Sequence, residues 1–368
     1  MTKSVAIIGT RGYPSYYGGF ETAVRSLAPY LSDHDWKVVV YGRPGATKVD
    51  DTTLDQRVSA VETWGLETKS LSTLSFGLSS TLHALIRKPD VALVMNVANG
   101  FWLPLLRARG IPVLVNVDGI EWERAKWGMA AKAMFRSGAW LTARFASQIV
   151  CDSKEIARRW RNAYGIDGVF IPYGGTLTSD LPVEAGLKHR GYVLVVARFV
   201  PENTIPEFLD AAELISTSIP VVIVGSSGYG GVLDEAAREL AARNSNVQWL
   251  GHVNDDQRLF SLWNHAAVYF HGHSVGGTNP ALVQAMACGA PTVARDTVYN
   301  REVLGEDGAF VSPDPQSIHD GIMTVVHAPE RAEALAASAL RRVKDSYTWE
   351  IVDGAYDRAL TALSRSRK

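Results

Sequence analysis

Twelve short apolar runs, rich in β-branched residues, set the strongest limit on how this chain can fold. They fall at 5–8, 38–41, 91–95, 113–117, 148–151 and 169–171, and again at 192–196, 221–224, 247–250, 268–270, 292–294 and 309–311. Each is apolar through most of its length. A strand with one wet face alternates polar and apolar residues, whereas a strand covered on both faces does not. Helical patterns lie between the runs. Phe20, Val24, Leu27 and Leu31 repeat at i, i+4, i+7 and i+11, and Phe208, Leu209, Ala212, Leu214 and Ile215 form a second such stripe. Alternation of buried strands with amphipathic helices predicts an α/β chain with doubly wound parallel sheets.

The pattern starts afresh once. Between the sixth and seventh runs stands Pro172-Tyr173-Gly174-Gly175, a turn-rich segment, followed by a polar stretch over 177–190. A length of 368 residues suits two sizeable domains. We therefore expect one Rossmann-like domain over 1–172 and a second over 173–349, facing each other across a cleft, with a last helix over 349–364. In such sheets ligands sit outside the carboxyl ends of the strands, so the loops there are where chemistry is expected.

Composition excludes several classes. The net charge is −1, which argues against a general nucleic-acid binder. The charge is uneven: residues 1–172 sum to +6 and residues 173–368 to −7, an asymmetry compatible with chance or with a first half lying near an anionic surface. Cys151 and Cys288 are too few for a disulfide framework and suit a reducing compartment. The apolar stretch over 91–106 is interrupted by Asn96 and Asn99 and is too short to span a bilayer. No signal peptide reads from the first residues. The expectation is a soluble, cytoplasmic protein.

Two glycine-rich loops follow strands. The first is Gly9-Thr-Arg-Gly12-Tyr-Pro14-Ser-Tyr-Tyr-Gly18-Gly19-Phe20-Glu21-Thr22, and the second is His271-Gly-His273-Ser-Val-Gly276-Gly277-Thr278-Asn279-Pro280. Glycines let main chain approach a ligand closely, and the helix that follows presents free N–H groups to an anion. Each loop is thus an anion cradle or a glycine-rich turn. Glu21 either serves binding or favours the positive end of its own helix. Asn279 suits an N-cap and Pro280 the first helical turn. His271 and His273 have ligand-like spacing, but no carboxylate or Cys stands near them, which favours a structural role over a metal. Arg198 and Asp118 each end an apolar run, where a polar side chain points into the crevice. Arg198 suits bidentate phosphate recognition or a surface ion pair. Asp118 suits a turn, a proton acceptor or a sugar hydroxyl. No Walker lysine motif occurs, and no Asp-x-Asp pair stands where it could hold a divalent ion. A diphosphate ligand, held without metal, fits these residues best.

On these motifs the sequence resembles a family-4 glycosyltransferase of the GT-B fold. The run Gly276-Gly277-Thr278-Asn279-Pro280 through Gln284, Gly289 and Pro291 is similar to the family's donor-binding E-x7-E segment. Ile8-Gly-Thr-Arg-Gly12, Tyr17-Gly-Gly-Phe-Glu-Thr22, Val117-Asp-Gly-Ile-Glu-Trp122 and Ala125-Lys-Trp-Gly128 resemble bacterial rhamnosyltransferases of polysaccharide assembly. The resemblance implies that Gly18 and Gly19 let the first loop approach the donor, together with Glu21. It implies that Arg198 neutralises the leaving diphosphate, worth on the order of 3 kcal/mol. Gly277, Thr278 and Asn279 would offer main-chain amides, the backbone at Val253 would hold the base, and Gln284 would stand where a glutamate grips the ribose. Gly276 occupies the place of the first glutamate and Asn203 that of a lysine, while Asp118 replaces a histidine. The segment Tyr347-Thr-Trp349-Glu350 resembles the start of a helix that returns to the first domain, here 350–368.

The implied activity is retaining transfer of a sugar, with dTDP-rhamnose as donor, to a hydroxyl of a glycan or lipid-linked acceptor. The nucleotide sugar is a substrate; no cofactor, metal or nucleic acid is expected. The segment over 125–145 mixes Lys and Arg with Trp, Met and Phe, which suits either peripheral contact at the inner face of a membrane or an ordinary helix packed on the sheet. Two rival functions stand beside this one: a non-catalytic nucleotide-sugar-binding subunit, favoured by the missing glutamates and lysine, and a nucleotide-sugar epimerase, which would need carboxylates beside the sugar.

Overall fold

A computed structural model describes residues 2–16, 18–47, 51–67, 72–124, 127–179, 181–228 and 230–365. Of the sequence motifs above, Tyr17, Ala125 and Lys126 lie outside the described residues. The chain divides into two compact units, Met1–Tyr173 with Trp349–Lys368, and Gly174–Thr348.

The first unit is built on seven strands: β1 (Lys3–Ile8), β2 (Trp36–Gly42), β3 (Ser59–Glu62), β4 (Val91–Met95), β5 (Val113–Asn116), β6 (Gln148–Cys151) and β7 (Gly168–Phe170). They lie in the order β3-β2-β1-β4-β5-β6-β7. Every pairing is parallel, for example Val5 beside Val38 and Val91. The second unit has six strands: β8 (Val193–Val196), β9 (Val221–Val224), β10 (Val247–Trp249), β11 (Val268–His271), β12 (Thr292–Arg295) and β13 (Ala309–Val311). Their order is β10-β9-β8-β11-β12-β13, again parallel. Each sheet reverses direction of winding once, between β1 and β4 and between β8 and β11. Those two switch points are where α/β sheets take ligands.

The unbroken apolar runs now have a physical reason. In the second unit Val193, Val195, Val221 and Ile223 bury into one core, while Leu194, Val222 and Val224 bury into another on the opposite face. Helices cover both faces, so successive side chains are equally dry. One strand escaped the sequence pattern. Three of the four residues of β3 are exposed, because it is the edge of its sheet and needs no apolar run. Leu214, assigned to a buried stripe, is exposed near the end of its helix (Ile205–Ile215).

The last helix, Trp349–Arg365, packs within the first unit. Val352, Tyr356, Ala359 and Leu360 join the core formed by β1, β2, β4 and the helix Gly19–Asp33. Polar bonds fix its register: the Ser26 hydroxyl donates to Asp353 at 2.6 Å, the Trp36 indole to Asp357 at 2.6 Å, and the Asn116 amide to the Tyr356 hydroxyl at 2.7 Å. No helix among the described residues is long and apolar enough to cross a membrane.

Candidate functional site

In the second unit the switch point between β8 and β11 is framed by two loops. Arg198 stands at the end of β8 with its side chain exposed, and among the described residues it makes no ion pair. Its carbonyl accepts from the Val200 N–H at 2.9 Å and from the Asn203 amide at 2.7 Å, which tightens the loop beneath the guanidinium. An unneutralised guanidinium at a strand end is a standing site for an anion.

The two loops are laced together. The Asn203 side-chain oxygen meets His273 Nδ1 at 2.5 Å, the Ser274 N–H and hydroxyl both donate to the Glu202 carbonyl at 2.9 Å, and the Thr204 hydroxyl donates to the Gly272 carbonyl at 2.6 Å. Thr204 itself sits at φ 55°, in the left-handed region. Gly272 is required by the closeness of this lacing: a Cβ there would lie 2.4 Å from the Asn203 carbonyl oxygen. Both polar atoms of the Asn203 amide are thus engaged in holding the loops. His271 is buried against the Tyr269 hydroxyl at 3.0 Å, and burial, with His273 beside it, holds its imidazole well below its usual pKa. Both histidines serve the scaffold.

Beyond this lacing the chain turns through Gly276 (φ 84°), Gly277 and the buried Thr278 into the helix Pro280–Ala287. Asn279 caps that helix, its side-chain oxygen accepting from the Ala281 N–H at 2.9 Å. Gln284 lies one turn in, and its amide is bound on both sides by one residue. It accepts from the Thr176 N–H at 2.9 Å and donates to the Thr176 carbonyl at 2.8 Å. A ribose contact at Gln284 would compete with that pair. Val253, in the loop after β10, buries its side chain in the core and leaves only main chain to meet a ligand.

In the first unit the loop after β1 is pinned by Glu21. Its buried carboxylate accepts from the Arg11 N–H at 2.9 Å, so it reaches back over the loop from its own helix. The helix Gly19–Asp33 begins at Gly18 with no side-chain cap. Asp118 follows β5 at φ 58° and is half-buried; the Asn116 side chain accepts from its N–H at 2.9 Å. Tyr173 ties these groups together. Burial raises its phenol well above the usual value, and the charges of Asp118, Asp152 and Glu21 raise it further. Glu21 from its helix, and Asp118 and Asp152 after β5 and β6, thus all act electrostatically on this buried phenol. Glu121 and Trp127, from the sequence motifs, bond each other at 2.9 Å, and Glu121 pairs with Arg124 at 2.7 Å, so they shape the loop after β5.

Two functional candidates were missed. Asp152 follows β6 just as Asp118 follows β5, and the same signal would have found it. Glu202 had no signal: it is buried with both carboxylate oxygens lacking a hydrogen-bond partner among the described residues, a consequence of how the β8 loop folds under the β11 loop.

The two doubly wound units and their switch-point loops define the class, an α/β protein with the fold of the GT-B glycosyltransferases. Residues 182–342 match the family model for glycosyl transferases group 1, and residues 17–174 match that for Glycosyltransferase Family 4. The Family 4 match thus precedes the group 1 match along the chain. It is 29% identical over 214 residues to the phosphatidyl-myo-inositol mannosyltransferase of Mycobacterium leprae (strain TN), covering 54% of each chain. It is 26% identical over 172 residues to the O-antigen chain mannosyltransferase B of Escherichia coli, covering 45% of this chain and 44% of that one. The chain thus matches about half the length of these curated relatives. Among solved structures it resembles Anabaena Alr3699/HepE in complex with UDP, with a TM-score of 0.74 and 17% identity, over 98% of this chain and 100% of that one.

Proposed function

We propose that this protein moves a sugar from a nucleotide diphosphate to a hydroxyl of a glycan or lipid-linked acceptor in cell-surface polysaccharide synthesis, with retention at the anomeric carbon. The observation that carries the reading is Arg198: an exposed guanidinium without an ion pair among the described residues, at the β8–β11 switch point, beside the loop that opens the helix Pro280–Ala287. There it would neutralise the nucleotide diphosphate as the sugar leaves. Main-chain amides of Gly277, Thr278 and Asn279 would share that charge, and the main chain at Val253 would meet the base. Gly18, Gly19 and the uncapped helix behind them are the first unit's contribution to the donor. Asp118 orients the acceptor or the donor sugar, while an oxygen of the leaving phosphate takes the acceptor proton and the acceptor enters from the face the phosphate leaves. No metal is needed in this scheme, so turnover is expected to survive chelation.

For the donor we propose dTDP-rhamnose. Glycine at 276 removes the carboxylate that would grip sugar hydroxyls, which favours a 6-deoxy sugar. A second reading, GDP-mannose, is favoured by the names of the curated relatives, both mannosyltransferases. Thermal-shift screening against dTDP-, GDP- and UDP-sugars, followed by release of radiolabelled sugar with and without acceptor, tests both. Stabilisation and turnover with dTDP-rhamnose are expected. Turnover with a hexose donor alone would remove the rhamnosyl reading, and binding without any transfer would leave a non-catalytic binding subunit. The cytoplasmic side of a membrane is where we place this work, since nucleotide sugars and lipid-linked acceptors meet there.

A further inference from the structure

Arg295 is the last residue of β12, and its half-buried guanidinium reaches back to the chain that follows β8. Nη1 donates to the Thr204 hydroxyl at 3.0 Å, and that hydroxyl donates in turn to the Gly272 carbonyl at 2.6 Å. The main chain of Arg295 is fixed as well. The buried Asn300 amide donates at 2.9 Å both to the Arg295 carbonyl and to that of His273. The guanidinium is thus set against the lacing that joins the loops after β8 and β11, the loops that frame Arg198.

Among the described residues no acid neutralises it. The neighbouring Asp296 is taken by Arg301, through bonds of 2.6 and 2.8 Å that hold its carboxyl below the usual range. Glu202, on the loop after β8, is buried, and neither of its oxygens accepts a hydrogen bond from a cation. Arg295 makes no ion pair, and the Thr204 hydroxyl engages one of the five N–H donors that a guanidinium carries. A second arginine without a counter-charge therefore stands at the same pair of loops as the first.

The chemistry at that place calls for one. Each phosphate of a nucleotide sugar is negatively charged. When the sugar leaves, the electron pair of the broken bond stays on the phosphate oxygen, so the diphosphate gains a further charge. Asn203, at the place the resemblance gives to a lysine, is neutral and spends its amide on the Arg198 carbonyl and His273. Thr204, which Arg295 touches, is the next residue.

We infer that Arg295 is a second donor-binding residue, whose guanidinium shares the nucleotide diphosphate with Arg198 and supplies the charge that Asn203 lacks. The planar fork suits this position, since it can keep one N–H on Thr204 while others meet phosphate oxygens. The inference deepens the donor reading given above and rests on it.

The test titrates the full chain with UDP, GDP and dTDP, and with inorganic pyrophosphate as a probe of the anion site alone. Arg295→Gln removes the charge but keeps a donor for Thr204. It should weaken binding of the preferred nucleoside diphosphate and of pyrophosphate about 10- to 100-fold, as the loss of one charge-assisted contact implies. Its melting temperature without ligand should fall by at most about 4 °C. Arg295→Lys, which keeps the charge without the fork, should bind between the two. In the wild-type chain pyrophosphate should slow modification of Arg295 and Arg198 by phenylglyoxal, read by peptide mass spectrometry, and leave Arg301 unchanged. Undiminished binding by Arg295→Gln, or no protection of Arg295 beside a protected Arg198, overturns the role of Arg295 and leaves the donor reading intact. A loss that lysine does not relieve makes Arg295 part of the scaffold and overturns the role too. A wild-type chain that binds none of the nucleoside diphosphates overturns the donor reading, and this role with it.

Discussion

The two glycine-rich loops have the same place in their sheets but are held in opposite ways. In the second unit the loop after β11 is laced to its neighbour by side chains of Asn203, Thr204 and Ser274, and the helix it enters is capped by Asn279. In the first unit the helix after β1 has no side-chain cap; Glu21 pins the loop from within that helix, and Asp51 accepts from the loop's Tyr16 hydroxyl at 2.6 Å. The first arrangement is a rigid frame beneath an exposed guanidinium. The second lacks a side-chain cap and depends on what braces the helix from behind. That brace is the last helix, through the bond from Ser26 to Asp353.

The brace predicts the largest effect, an opposite response of the two units to pH. Burial pushes the Asp353 carboxyl from 3.8 up to about 7, although the Ser26 bond works against the rise. A carboxyl raised on folding favours the folded state below 3.8 and loses that advantage as pH climbs to about 7, a change on the order of 4 kcal/mol at most. In the second unit the lowered pKa of buried His271 acts the other way: its stability is present above 6.5 and falls as the solution is acidified. Hydrogen exchange of the strand amides from pH 5 to 8 should show β1–β7 losing protection as pH rises and β8–β13 gaining it. In Asp353→Asn the first trend should flatten. Parallel trends in both units would break the comparison.

Removing the guanidinium above the rigid frame comes next. Arg198→Ala is expected to lower turnover at least about 100-fold, equivalent to on the order of 3 kcal/mol in the barrier, with an unchanged melting temperature because the side chain is exposed. Near-normal turnover would take Arg198 out of the chemistry.

How much of this could be read from the sequence follows from the same contrast. Runs such as 193–196 announced themselves because helices dry both of their faces, whereas β3 did not, since an exposed edge has no apolar requirement. Arg198 and Asp118 were legible because a polar residue directly after such a run can only stand at the carboxyl end of a strand. The lacing was not. Asn203 meets His273 across 70 residues of sequence, and Gln284 meets Thr176 across 108. Both depend on which strands neighbour each other, and the resemblance that puts Gln284 beside a ribose carries no sign of its pairing with the Thr176 backbone.

Smaller changes probe the pins themselves. Glu21→Ala deprives the Arg11 N–H of its acceptor in a buried setting and should cost about 1–3 kcal/mol of the first unit's stability. Asn279→Ala removes one cap and should cost about 1 kcal/mol in the second. Both are read by denaturant unfolding followed within each unit by hydrogen exchange. A larger loss at Asn279 than at Glu21 would reverse the ranking of the two loops, since the lacing is expected to carry the second loop even without its cap.

Gly18→Ala should produce the smallest change in stability and separates scaffold from ligand. Gly18 is extended at φ −170°, a conformation any residue adopts, and an added Cβ would lie 3.4 Å from Glu21 Oε2, an ordinary contact. Stability should therefore move by less than about 0.5 kcal/mol. If the loop is open because a diphosphate approaches its main chain, the same methyl group should weaken donor binding about tenfold, since it stands where the ligand must come close. Thermal shift with and without the donor measures both quantities in one experiment. An unchanged donor shift would mean that the uncapped helix of the first unit faces no anion, and the donor would then be held by the second unit's frame alone.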